Sequence, residues 1–264
     1  MTDSARFSGL QRQVVPLLEY DHSRRAVIEP ANLIEPVSGV RYCVLCYFNK
    51  VITKLLEKGS LSPLAMHGSE MGELPLYQMQ FQEKCLAVVQ APVGAPFAAA
   101  LLEELIARGI TQFIVCGGCG VLDRHISVGH LLVPTSAVRD EGTSFHYLPA
   151  SREVAAFPLA LSAITRVLDG HSVPYLLTKT WTTDAIYRET PAKVALRRDE
   201  GCLAVEMEAS AYLAVAHYRG ALLGQILYAG DDVSGYDWDH RGWQDREELR
   251  EQVFWLAAEA CLQL

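Results

Sequence analysis

From Arg41 onward the chain alternates short apolar runs with amphipathic periods, and this order constrains the fold more than any other feature. Runs at 42–47, 85–90, 112–116, 130–138, 174–180, 203–205 and 222–229 read as strands. Several are apolar throughout, as expected of strands buried on both faces. Between them, segments 96–108, 154–168, 208–219 and 244–262 repeat apolar residues at helical spacing. In the first, Ala98, Leu101, Leu102 and Leu105 fall on one side and Glu103 and Glu104 on the other. Gly109, Gly170 and Gly220 stand where three of these helices would end. The pattern predicts an α/β fold: a single domain with a central mixed, largely parallel twisted sheet and helices on both faces. Ligands of such a sheet sit beyond the carboxyl ends of its strands.

The 264 residues, half of them apolar, suffice for one full core. Residues 1–40 are polar and interrupted by Pro16, Pro30 and Pro36. They are expected to form an arm over the surface or toward a neighbouring subunit, leaving 41–264 as the domain. The formal charge of −8 argues against a phosphate-backbone binder, so no nucleic-acid partner is expected and a small-molecule ligand fits better. The first residues lack the apolar stretch of a signal peptide, and no run approaches the ~18 apolar residues of a membrane span. A cytoplasmic protein without a membrane partner is the expectation.

Seven cysteines, mostly in apolar segments, read as small hydrophobes rather than a disulfide scaffold. Cys43/Cys46 and Cys116/Cys119 have the C-x-x-C spacing of zinc ligands. The first pair lies in a strand-like run, where this spacing turns the thiols to opposite faces, so no metal is expected. Cys116 and Cys119 flank two glycines, and their role is open on spacing alone.

Four strand ends are polar or glycine-rich. At Ala204-Val205-Glu206-Met207-Glu208-Ala209 an apolar strand enters a helix through two carboxylates. Buried carboxylates need donors, and the hydroxyls of a sugar would serve. A solvated helix start complementing the dipole is the alternative. Gly117-Gly118-Cys119-Gly120 reads as a turn whose amides converge on a ligand, or as a tight turn without one. In Thr182-Thr183-Asp184-Ala185-Ile186-Tyr187 the hydroxyls and carboxylate suit a helix cap, and Ile186 or Tyr187 could stack on a π-system. Gly230-Asp231-Asp232 places adjacent carboxylates at a strand end, as a general acid or as a turn cap.

Taken together, these segments resemble the nucleoside phosphorylase family that includes bacterial purine nucleoside and uridine phosphorylases. Val205-Glu206-Met207-Glu208-Ala209 is similar to its ribose-binding segment, and Val128-Gly129-His130-Leu131-Leu132-Val133-Pro134 to its strand after the glycine loop. The run from Arg139 to Pro149 resembles the Arg-x-x-Gly-x-Ser-x-His-x-x-Pro of uridine phosphorylase-like members, and Thr182 to Tyr187 their segment against the base.

The resemblance implies cleavage of a nucleoside by phosphorolysis, with inorganic phosphate as cosubstrate, no cofactor and a homo-oligomeric assembly. It assigns Asp231, or alternatively Asp232, as the acid protonating the leaving base, and Glu208 and Met207 to the ribose. Ile186, Tyr187, Cys119, Gly120 and Glu206 are assigned to the base, and Gly94, Gly118 and Lys50 to the phosphate side. The chain departs from the family's Gly-Asp-Pro-x-Arg loop, reading Cys46-Tyr47-Phe48-Asn49-Lys50, and has Val115 where a second Arg is expected. Where uridine phosphorylases read uracil with Gln-x-Arg, it has Thr190-Pro191-Ala192. Arg24 or Arg25 of the arm could compensate on the phosphate side. Hydrolysis by water, or nucleoside binding without turnover, are the alternatives.

Overall fold

A computed structural model describes residues 10–264. Its strands are β1 (Tyr42–Cys46), β2 (Ser62–Ser69), β3 (Gly72–Phe81), β4 (Lys84–Gln90), β5 (Gln112–Val121), β6 (Leu131–Asp140), β7 (Glu153–Ala155), β8 (Tyr175–Thr183), β9 (Cys202–Glu206) and β10 (Leu222–Asp232). The helices are α1 (Asn49–Glu57), α2 (Ala95–Ala107), α3 (Pro158–Gly170), α4 (Pro191–Asp199), α5 (Ala209–Arg219) and α6 (Glu247–Cys261).

Two parallel blocks make the sheet. Strands β4, β1, β5 and β10 run parallel to one another, as do β6, β8 and β9. The blocks meet antiparallel through β10 with β6 and β5 with β9, so β5, β10, β6, β8 and β9 close on themselves. The α/β architecture with a mixed sheet is as expected. The closure is not visible in the alternation of strands and helices, because that order carries no pairing information.

Helices α1, α3 and α6 bury Ile52, Ile164 and Phe254 on one face. On the other, α2 and α5 bury Leu102 and Tyr212. Cys43 and Cys46 do point to opposite faces, as strand geometry requires. Among the described residues no three potential ligands gather in a metal-binding group, and no helix is long and apolar enough to cross a membrane.

Three features differ from the sequence reading. The β2–β3 hairpin differs from the sequence pattern because β2 is largely exposed and each strand carries a proline, Pro63 in β2 and Pro75 in β3; prolines of this kind are tolerated where a ladder donor is dispensable. The helical period from 154 splits into β7 and α3, with Pro158 starting the helix at the position its fixed φ favours. Gly117 to Gly120 do not form a turn: they continue β5, without positive φ. Their value is close approach. A Cβ on Gly117 would meet Tyr47 Cδ2 at 3.0 Å, and one on Gly120 would meet Val205 Cγ1 at 3.0 Å.

Residues 10–40 of the expected arm lie against α5 and α2 with two 3-10 turns, Pro16–Leu18 and Pro30–Asn32, while its residues 1–9 lie outside the described residues. Arg24 bonds the Tyr218 carbonyl and lies over its ring at 4.5 Å, and Val37 N donates to Arg108 O at 2.9 Å.

Candidate active site

The carboxyl ends of β1, β5, β9 and β10 surround a cavity of about 760 Å³. Gly120 pairs with Val205, so the end of β9 lies beside the end of β5, and Ala229 of β10 pairs with Cys119. This register brings residues more than a hundred positions apart to one opening. Glu208, Met207, Asp231, Cys119 and Gly120 all line it, together with Glu189.

At the β9–α5 junction the two carboxylates have different tasks. Glu206 is buried, and its Oε2 accepts the Glu208 and Ala209 amides at 2.8 and 2.6 Å. Its Oε1 accepts the Thr182 hydroxyl at 2.7 Å. These bonds satisfy the orphan donors of the α5 start, so Glu206 shapes the site rather than offering a free acceptor to a base. Its assignment as a base contact is corrected accordingly, although it still borders the cavity.

Glu208 is also buried, with Oε1 accepting the Gly94 amide at 2.6 Å. Burial first, and the charge of Glu206 second, push its carboxyl up to about 8. A carboxyl poised this way can exchange hydrogen bonds with sugar hydroxyls in either protonation state.

At the end of β10 the adjacent aspartates diverge because side chains alternate along a strand. Asp232 is buried and pairs with Arg241 at 2.7 Å while accepting the Ser234 amide at 2.8 Å. It fixes the loop and is not free to act as the alternative acid. Asp231 faces the cavity. Its Oδ2 accepts Trp238 Nε1 at 2.6 Å, and Oδ1 has no hydrogen-bond partner among the described residues.

Ile186 and Tyr187 line the mouth on a 3-10 turn after β8 and are strongly exposed, Tyr187 at 93%. Before this turn, Thr183 and Asp184 serve local structure, accepting the Ala185 and Gly142 amides. The Arg139 to Pro149 run also proves structural: Arg139 is buried and bonds the Leu148 and Pro149 carbonyls and the Ser144 and Ser151 hydroxyls, clasping its own loop.

The phosphate-side assignments fare differently. Lys50 lies on α1, two-thirds exposed, paired with Glu247 and outside the cavity lining. The Gly94 amide is occupied by Glu208. Gly118 does line the cavity, but within β5 rather than in an amide-presenting turn, packed against the Tyr228 ring. Arg24 is engaged on Tyr218 and does not line the cavity.

One cationic guanidinium does, and it went unnoticed in the sequence. Arg250 of α6 donates to the Tyr228 hydroxyl at 2.9 and 2.8 Å and lies within 6 Å of the Phe48, Tyr228 and Trp243 rings. Its amphipathic helix gave no hint of it, since a polar residue in a helical period reads as solvated. Trp238 was likewise not assigned; it belongs to an irregular segment whose course depends on the neighbouring strands.

A family model described as the Phosphorylase superfamily matches residues 41–262, and the chain belongs to that family. It is 32% identical over 171 residues to a guanosine phosphorylase of Halorubrum lacusprofundi, covering 64% of this chain and 69% of that protein. It is 24% identical over 168 residues to a uridine phosphorylase of Salmonella typhimurium, covering 58% of this chain and 66% of that one. The chain thus spans about two thirds of the length of these relatives. In structure it is similar to the uridine phosphorylase of Vibrio fischeri, with a TM-score of 0.71, 22% identity and coverage of 92% of this chain and 98% of the other. It is also similar to an AMP nucleosidase of Bacteroides thetaiotaomicron, with a TM-score of 0.65, 21% identity and coverage of 83% and 86%. At these identities the structural matches bear on the fold alone.

Proposed function

We propose that this protein cleaves the N-glycosidic bond of a purine nucleoside, with water as the nucleophile. The observation that carries the reading is the convergence of Asp231 and Glu208 on one cavity. Glu208 and Met207 hold the ribose. As the bond from C1′ to N9 stretches, its electron pair passes into the base, and Asp231 delivers a proton to N7. The water oxygen bonds to C1′, and the proton it releases restores the Asp231 acid over the cycle.

The choice of water rests on charge. Glu189, Glu206, Glu208, Asp231 and Asp237 border the cavity, whereas Arg250 has its Nε and one terminal nitrogen committed to Tyr228. A phosphate dianion would find Arg250 as the one Lys or Arg in the wall among the described residues, with no free guanidinium fork to receive it. Phosphorolysis is the second reading, favoured by the phosphorylases among the relatives and by the position of Arg250 in the wall. Homo-oligomer formation, in which a second copy would add to the rim, accompanies either reading.

A nucleoside panel assayed with and without phosphate tests this. Release of free base and free ribose at a rate independent of phosphate is expected. Strict phosphate dependence, with ribose 1-phosphate as product, establishes the second reading instead.

A further inference from the structure

Glu189 borders the same cavity as the acid. It follows the 3-10 turn Ile186–Arg188, is half-buried, and has neither an ion pair nor a hydrogen bond to its carboxylate among the described residues. The other buried or half-buried carboxylates of the cavity are engaged: Glu206 by the α5 amides, Glu208 by Gly94, and Asp231 by Trp238. Glu189 is thus the half-buried carboxylate of the wall with neither oxygen engaged among the described residues. Burial, and then the charge of Asp231, push its carboxyl up to about 7, which places the two groups within electrostatic reach over one ligand.

We infer that Glu189 selects the base by accepting from an exocyclic amino group, which makes amino-substituted purine nucleosides the substrate class. The inference rests on the proposed function and adds to it. In its ionised form, above about pH 7, this half-buried carboxylate gains from a ligand that brings a donor and is penalised by a keto oxygen facing it. The protonated form can donate to that oxygen, so the preference for amino-purines rises with pH. With Asp231 at N7, the remaining edge of a purine is the part that can reach across the opening. The Arg188-Glu189 dipeptide adjoins Thr190-Pro191-Ala192, so the wall that departs from the Gln-x-Arg pattern is the one that carries this carboxylate.

The test compares kcat/KM for guanosine, adenosine, inosine and uridine in the wild type, Glu189→Gln and Glu189→Ala. At pH 8, above the value of about 7 to which the Glu189 carboxyl is pushed, at least one amino-purine should exceed inosine and uridine by about 10- to 100-fold, the range of a hydrogen bond to a charged group. Glu189→Ala should erase that preference while leaving inosine within about threefold, and Glu189→Gln, which keeps one acceptor oxygen, should fall between. The inference is overturned if inosine or uridine matches the amino-purines in the wild type. It is equally overturned if Glu189→Ala lowers all four alike, the mark of a merely structural role. If the wild type turns over none of the four, the catalytic reading fails by itself. Calorimetric binding of guanine, adenine and hypoxanthine then decides: a preference for an amino-substituted base that is lost in Glu189→Ala supports the role of Glu189, and equal affinities sink it.

Discussion

The two ends of the cavity differ in how their polar groups are employed. At the β9–α5 junction the polar groups are held by protein partners before any ligand arrives: Glu206 holds the amides of α5, Thr182 of β8 holds Glu206, and Glu208 is fixed against Gly94 ahead of α2. At the end near β1 and α1, Lys50 faces solvent and the cation in the wall, Arg250, comes from the last helix. The carboxylates offered to a sugar thus sit in one strand-to-helix segment and borrow their fixed partners from β8 and the start of α2, whereas the one Lys or Arg in the wall among the described residues comes from the far end of the chain.

The sharpest test of this contrast is Asp231→Asn. Loss of the proton donor should reduce kcat by about 10²- to 10⁴-fold with little change in KM, as measured by steady-state base release. Near-normal turnover would break the assignment. Glu208→Gln should lower kcat/KM by about 10-fold, because the amide cannot reproduce the carboxyl's hydrogen bonds to the sugar hydroxyls, each worth about 0.5–1.5 kcal/mol.

The same variant has a stability signature of the opposite sign. The carboxyl of Glu208 lies near 8 in the folded protein, against an ordinary value of 4.5. Between those limits the folded state binds more protons than the unfolded state, so wild-type stability falls as pH rises through the window. Gln cannot ionise and keeps an acceptor for Gly94. Its Tm should therefore match the wild type near pH 4.5 and exceed it by about 2–4 °C or more at pH 8, read by thermal denaturation. A constant difference across this range would show that Glu208 is not held neutral.

Asp232→Asn separates structure from chemistry at the other strand end. Weakening the buried pair with Arg241 should cost about 1–3 kcal/mol in denaturant unfolding, with kcat lowered by less than about tenfold. A larger kinetic than structural effect would transfer the acid to this residue. The smallest effect belongs to Lys50→Ala. The exposed pair with Glu247 is worth about 0–1 kcal/mol, and kcat/KM should stay within about twofold at every phosphate concentration. A marked rise in the KM for phosphate would show that Lys50 swings inward.

Much of the site was legible because strand ends are written in short contiguous segments. Glu208, Met207, Asp231, Cys119 and Gly120 could be chosen from such segments, and all five line the cavity. Lys50 was misplaced because a lysine in a loop-like stretch carries no sign of the helix that turns it outward. The glycines after Cys116 were taken for a turn because their freedom in φ is a local property, while the close approach of Tyr47, Tyr228 and Val205 that they permit is not.

By itself, the sequence determined the alternation of strands and helices, the apolar faces and the strand ends at which chemistry could reside. These follow from periodicity and local chemistry, which neighbouring residues specify. The tertiary structure alone decided the closure of β5, β10, β6, β8 and β9, the turning of Asp231 inward and Asp232 onto Arg241, and the arrival of Glu189 and Arg250 at the same opening. Each of these depends on strand pairing and side-chain direction across long separations, where one step of register moves a carboxylate from a cavity to a structural ion pair.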